Sequence, residues 1–377
     1  MDQSRLTSTL APAGVTGVTT RAHADRRNVS LDTLRALAIV LVLCAHTIES
    51  SGHHGWVDVF GVGGVGVDLF FCLSGWLLGR QLLLEWRNSG TVDVPRFWAR
   101  RWMRTLPAYA AVLAWTLGQS VLQHKVPVWW PYLVFLQNYS AMPFFGVSWS
   151  LCVEEYFYLG IAPLLLLVTK HRRWLALAAV LLAVPSISRL STDWVNATLG
   201  WGWHDKMTHL RYDQCAAGVL LAAVAVFRTS LWARLSALAP VLALAGLGLA
   251  LLSVYGRLTA TGFAWGPGTW TVIFTSWVLL ANSSSFWRLE ASIPGASFVA
   301  NRAYALYLVH SDGIAVANRL FGVADGRSLG PLPLYLLTAW TASFIGAELL
   351  YRLVELPGMR ARESFPWSRS RHLSPAA

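Results

Sequence analysis

Apolar residues run along this chain in long blocks, near residues 31–50, 62–84, 105–123, 147–168, 173–190, 209–227, 235–255, 267–283, 300–320 and 331–354. Most blocks approach the ~20 residues that a helix needs to cross hydrocarbon, where each backbone N–H and C=O must be satisfied inside the segment. The pattern predicts an all-α, polytopic membrane protein of about ten transmembrane helices. One further apolar patch, Val126–Phe145, carries Pro127, Pro131, Pro143, the adjacent Trp129 and Trp130, and Asn138. It reads as an interfacial or re-entrant segment rather than a span.

Composition agrees with that pattern. Hydrophobic residues make up 55% of the 377 residues and charged residues 13%, against about 25% charged in a soluble domain. An ordinary soluble enzyme, a coiled coil and a disordered chain are excluded. The net charge of +11 belongs to loops that set topology, because no soluble basic domain exists to carry nucleic acid. With ten spans and the N-terminus inside, only seven of the 30 Lys and Arg residues fall outside: Lys125, Arg189, Lys206, Arg211, Arg257, Arg319 and Arg327. Counting Val126–Phe145 as a span would instead put Lys170, Arg172 and Arg173 outside. Loop charge therefore favours both termini cytoplasmic and a multi-pass protein of the cytoplasmic membrane. Residues 1–30 read as a flexible cytoplasmic tail, 31–356 as the membrane domain and 357–377 as a basic cytoplasmic tail. No apolar core of a secretory signal occurs before Leu31.

Charge inside these blocks marks the candidate chemistry, since an ionisable group in hydrocarbon is costly. Arg35 and His46 share the first span. Eleven residues make about 16 Å of helix and close to three turns, so both side chains lie on one face. Snorkelling explains Arg35 equally well, and core hydrogen bonding explains His46. The second span opens Gly61-Val62-Gly63-Gly64-Val65-Gly66-Val67-Asp68. Its glycines permit close helix contact, and Asp68 suits pairing with an arginine or fixing a histidine tautomer. Arg96, Arg100, Arg101 and Arg104 then alternate with aromatic residues in an inner loop. If helical, that stretch sets Arg101 and Arg104 on one face, suited to phosphate or to anionic lipid. Glu154 and Glu155 are adjacent acids within an apolar block. They point about 100° apart on a helix, so at least one faces a polar interior, and Tyr158 is placed to share a hydrogen bond with Glu154. Tyr304, Tyr307 and His310 recur at intervals of three, while Glu348, Arg352 and Glu355 suggest an ion-pair ladder on the last helix. Cys44, Cys72, Cys152 and Cys215 lie in apolar blocks without CxxC spacing, so neither a disulfide framework nor a metal site is expected.

These pieces, in this order, resemble the acyltransferase 3 family of membrane-bound O-acyltransferases. The resemblance rests on Arg35 and His46, on Gly66-Val67-Asp68-Leu69-Phe70-Phe71 through Ser74-Gly75, and on the arginines before Pro107. It rests further on Trp149-Ser150-Leu151 with Val153-Glu154-Glu155, and on Tyr307-Leu308-Val309-His310 and the Glu355–Pro357 region. Cys152 and Tyr156 depart from the family pattern, where a small hydroxyl residue and glutamine are usual. The resemblance implies transfer of an acyl group, typically acetyl, from acyl-CoA to a hydroxyl. The acceptor class it implies is a glycan, a lipid-linked sugar or a glycosylated or macrolide secondary metabolite. It makes His46 the candidate general base, with Arg35 and Glu154 in the catalytic group. Arg101 and Arg104 are the candidate acyl-CoA ligands, and Asp68, Tyr158 and His310 the candidate substrate contacts. A covalent acyl-histidine stays open beside direct transfer. Intramembrane Arg, His and Glu also suit an ion-coupled secondary transporter or flippase, from which coenzyme A binding would distinguish an acyltransferase. Trp194, Trp201 and Trp203 of the longest outer loop suit stacking on sugar rings or anchoring at the interface.

Overall fold

The computed structural model describes residues 28–125, 127–139, 144–171, 206, 208–258, 267–283, 293–322 and 331–365. The expected span at 173–190 and the three outer-loop tryptophans lie outside the described residues, as does most of both tails. Among the described residues the protein is all-α, with no strand. The long helices are α1 (Val29–Ser50), α2 (Gly66–Ser89), α3 (Val94–Leu122), α4 (Trp149–His171), α5 (Tyr212–Phe227), α6 (Thr229–Leu258), α7 (Pro267–Asn282), α8 (Ala296–Phe321) and α9 (Leu332–Leu350). Helix α9 continues through a π turn, Tyr351–Glu355, into α10 (Leu356–Ser364).

Among the described residues, five helical stretches are long and apolar enough to cross a membrane: Val29–Ser50, Val59–Ser89, Gly146–Val168, Thr229–Gly256 and Leu332–Arg362. Helix α6 shows why the surrounding medium must be apolar. Leu238, Val241, Leu244, Leu251, Leu252 and Tyr255 all project outward from it, a surface that water would not tolerate on a soluble protein. The chain is a multi-pass membrane protein.

Local chemistry sets the helix ends. The Asn28 side chain accepts from the Ser30 and Leu31 N–H groups at the start of α1, at 3.0 and 3.3 Å. Its amide donates to the Ala281 carbonyl at the end of α7, 3.1 Å away. Asp93 caps α3 by accepting from the Arg96 N–H, with Pro95 in the first turn, where its missing N–H costs nothing. Gly90, at φ 71°, closes α2 in the left-handed conformation that glycine adopts without strain.

Packing then follows small residues. Helix α2 runs along α5, where Gly75 faces the backbone of Cys215 and Gly218 faces the backbone of Cys72 and Trp76. A Cβ at either glycine would fall within the partner backbone, so the seam admits only hydrogen there. Helix α8 packs along α9 and also against α1.

Three expectations change on contact with the structure. The glycine-rich opening of the second span is a 3₁₀ helix from Trp56 to Val65, and the α-helix begins only at Gly66. Gly63 and Gly66 sit against the α1 carbonyls of Leu41 and Ala38, and that close approach shapes the segment. The arginine-rich stretch is no loop; it forms the first turns of α3, continuous with the span behind it. The ladder on the last helix is partial. Glu348 pairs with Arg352 and with Arg302 of α8, but the wide π turn carries Glu355 out of register, into a buried position at the turn that packs on α3. Val126–Phe145 forms no long helix among its described residues. It makes one short turn at Trp130–Leu133 and another at Gln137–Tyr139. Trp129 and Trp130 face outward, while Gln137 and Asn138 are buried and bonded to Ser148, Trp149 and Thr208.

Candidate active site

Two cavities lie one behind the other along α1. The first, of about 330 Å³, is lined by Arg35 of α1, Phe70 and Ser74 of α2, Arg101 and Arg104 of α3, Glu154 of α4, and Tyr304 of α8, among others. The second, of about 360 Å³, has His46 and Glu49 of α1, Trp149, Lys206, Ser311 of α8 and Asn318 in its wall. Arg35 and His46 thus occupy one face of α1, as their spacing predicts, but each serves a different chamber.

The arginine cavity joins guanidinium groups to an apolar floor. Arg35 pairs with the buried Asp32 at 2.8 Å. Arg101 donates to Glu154 Oε2 at 2.8 Å and to the Tyr158 hydroxyl at 3.1 Å, and its guanidinium lies 4.3 Å from the centre of the Tyr158 ring. Ser74 Oγ donates to the other Glu154 oxygen, also at 2.8 Å. Glu154 and Tyr158 therefore meet across Arg101. Arg104 is exposed where it lines the cavity. Val67, Phe70, Phe71, Leu73 and Leu77 complete the wall. Three arginines beside apolar side chains form a chamber able to hold a polyanion that carries an uncharged arm. Glu155 points elsewhere, accepting from Trp102 Nε1 at 3.0 Å, so both adjacent acids face polar partners within the protein.

Hydroxyl groups link the walls of the two cavities. Ser150 Oγ donates to the Tyr307 hydroxyl at 2.6 Å, and the Tyr307 hydroxyl donates in turn to the Val147 carbonyl at 2.8 Å. Ser150 and Tyr307 line the arginine cavity, and Val147 lines the histidine cavity. One short hydrogen-bonded chain thus joins the walls of the two cavities.

In the histidine cavity, His46 Nδ1 lies 2.7 Å from His310 Nε2, and His310 Nδ1 lies 2.8 Å from the Tyr307 carbonyl. His310 is fully buried. Asp68, Tyr158 and His310, expected as substrate contacts, do not line either cavity among the described residues. Each stands one layer back: Tyr158 behind Arg101, His310 behind His46, and Asp68 in a buried pair with Arg211. Asp68 is therefore not the group beside the histidine. The expected pairing of Asp68 with an arginine is met by Arg211, which the sequence did not single out as its partner, and Ser74 and Ser150 stood in the motifs without a role. A serine in an apolar helix carries no local signal of which face it occupies, and Arg211 is 143 residues from Asp68.

The peptidoglycan O-acetyltransferase OatA of Listeria monocytogenes is 27% identical over 364 residues, covering 87% of this chain and 55% of its own length. The O-acetyltransferase OatA of Staphylococcus aureus is 24% identical over 394 residues, covering 93% of this chain and 61% of its own. This chain therefore spans little more than half the length of the curated relatives it matches. No solved structure matches it. The acyltransferase domain model of the acyltransferase 3 family matches residues 28–352, and with the motifs, the helical bundle and the two cavities in place, the chain belongs to that family.

Proposed function

We propose that this chain is an acetyl-CoA-dependent O-acetyltransferase of the cytoplasmic membrane, carrying an acetyl group from the cytoplasmic face to a cell-wall glycan hydroxyl on the other. The observation that carries the reading is the placing of an arginine cavity and a histidine cavity along one face of α1, their walls linked by the Ser150–Tyr307–Val147 chain. Ten spans with both termini cytoplasmic, the arrangement that loop charge favours, put the arginine cavity on the cytosolic side. The peptidoglycan acceptor follows from what the Listeria relative is named for.

Each side chain then has a task. Arg104 recruits phosphate at the mouth of the arginine cavity, Arg101 holds it deeper in, and Arg35 adds to the positive wall. Glu154, bonded to Arg101 and Ser74, fixes the guanidinium's direction, and Tyr158 supports it from behind. The apolar wall suits the uncharged arm of the donor. His46 takes the proton of the acceptor hydroxyl as its oxygen bonds to the thioester carbonyl carbon. When the carbon–sulfur bond breaks, the proton passes from His46 to the leaving thiolate, giving an ester and free coenzyme A thiol. Ser150 and Tyr307 stand beside the crossing point, and turning the Tyr307 hydroxyl away from the Val147 carbonyl would let it donate to a developing oxyanion.

The test is thiol release and ester formation by purified protein in nanodiscs, with acetyl-CoA and a soluble peptidoglycan fragment. His46→Ala is expected to lower turnover by about 10²- to 10⁴-fold while leaving insertion and coenzyme A binding intact. Wild-type turnover in that variant would remove His46 from the chemistry. Absence of coenzyme A binding in folded wild-type protein would favour the transporter reading.

A further inference from the structure

We infer that His310 is the positioning residue that sets the tautomer of His46, through a relay that begins at a backbone carbonyl. The inference deepens the reading above and rests on His46 being the proton acceptor.

A carbonyl oxygen can only accept a hydrogen bond. The Tyr307 carbonyl lies 2.8 Å from His310 Nδ1, so that nitrogen carries a proton. His310 is fully buried, its ring lies against the Tyr307 ring, and Ser343 of α9 donates its hydroxyl to the His310 backbone carbonyl; among the described residues no carboxylate bonds to the His310 ring. A second proton would make an unpaired buried cation, which costs several kcal/mol. His310 Nε2 therefore presents a lone pair. His46 Nδ1 lies 2.7 Å from that lone pair and must supply the proton of the bond. One neutral imidazole carries one N–H, so His46 Nε2 is left bare. The base nitrogen is thus specified two residues away, by an atom of the main chain.

The ring geometry supports the same order. The two rings are tilted by only 10° and their centroids are 5.0 Å apart. With nitrogens 2.7 Å apart, that is an edge-to-edge bond in a common plane, not a face-to-face stack. The His310 lone pair lies in that plane and points along the bond. When His46 gains a proton at Nε2, its Nδ1–H keeps the same acceptor, so the imidazolium is stabilised without rearrangement. The platform is rigid: α8 packs on both α1 and α9, and Gly313, one turn beyond His310, meets the α9 backbone at Ser343 with no room for a side chain. The arrangement performs the orienting task that a carboxylate often performs beside a catalytic histidine, but with a neutral group, which a low-dielectric interior favours.

Glutamine supplies the test, because its carbonyl accepts and its amide donates, as His310 does. In nanodiscs, His310→Ala is expected to lower kcat by about 10²-fold or more, given the cost of a wrong tautomer, with the KM for acetyl-CoA unchanged. His310→Gln is expected to restore most of kcat. Nitrogen-15 NMR of histidine-labelled protein should find His46 protonated at Nδ1 in the wild type and in His310→Gln. In His310→Ala that preference should be lost. Equal loss of kcat in folded His310→Ala and His310→Gln, or a wild-type His46 protonated at Nε2 alone, would overturn the relay. Should His310→Ala fail to fold, the wild-type spectrum and the glutamine variant decide alone. His46→Ala, run in parallel, separates the two ideas: if it stays active, the proposed function fails, whereas an inactive His46→Ala beside a fully active His310→Ala sinks only the relay.

Discussion

Arg101–Glu154 and Arg211–Asp68 are both arginine–carboxylate pairs between helices, each with little exposure to solvent. They differ in what lies beside them. Arg101 and Glu154 open onto a cavity, and their remaining bonds go to Ser74 and Tyr158, hydroxyls that can be shared with a ligand. Arg211 and Asp68 line no cavity among the described residues. Arg211 instead lies 5.3 Å from the Trp149 ring centre, and two residues on, Asp213 accepts from Thr271 of α7. The second pair ties α2 to the start of α5 and to α4. A buried ion pair is by itself a poor guide to function, because its desolvation cost can cancel its attraction. The neighbouring empty volume is what separates a binding group from a structural tie.

The largest effect should follow from breaking the tie. Asp68→Ala leaves Arg211 buried and without its carboxylate, a loss of about 3–5 kcal/mol. The variant should survive detergent extraction poorly and lose its monodisperse peak at lower temperature. Asp68→Asn, which keeps an acceptor, should lose less. If Asp68→Ala is as heat-resistant as wild type and loses only turnover, the two pairs do not differ as argued.

Arg101→Gln should do the reverse. Heat resistance should change little, because the glutamine amide can still donate to Glu154 and the cavity gives room to relax. The KM for acetyl-CoA should rise about 10- to 100-fold, the worth of one charge-assisted hydrogen bond of about 1.5–3 kcal/mol. An unchanged KM with a collapsed melting temperature would place Arg101 with Arg211 among the structural ties.

The same contrast explains what could be read from the chain. The helical, membrane-spanning character was legible because hydrocarbon demands long apolar blocks, and α1, α2 and α4 fall close to them. Arg35, His46 and Glu154 were legible because charge in such blocks is costly enough to need a reason. The hydroxyl link between the two cavity walls was not. Ser150 and Tyr307 are 157 residues apart and ordinary in a membrane helix, and nothing in either segment points to the other. His310 was visible as a residue but not as a partner of His46, since helical periodicity gives a face and never the identity of the helix opposite. Asp68 shows the converse: its burial was evident and its partner was not. The π turn at Tyr351–Glu355 was also hidden, because one turn's change of pitch leaves no hydrophobic signature.

Arg104 should give the smallest effect and the one most sensitive to conditions. It lines the arginine cavity with Arg101 but is exposed, so its attraction for phosphate acts through water and is shared with counterions. An exposed ion pair contributes about 0.2–1 kcal/mol, so Arg104→Gln should raise the KM for acetyl-CoA no more than about five-fold at low ionic strength. At 1 M salt the Debye length falls to about 3 Å, and variant and wild type should converge. Arg101→Gln should stay impaired at the same salt, because Arg101 is enclosed by Glu154, Ser74 and Tyr158 rather than by solvent. Measuring KM for both variants across a salt series therefore separates a recruiting charge at the mouth from a seated ligand deeper in. Parallel salt curves for the two would mean that they share one environment, and Arg101 would lose its place as the inner contact.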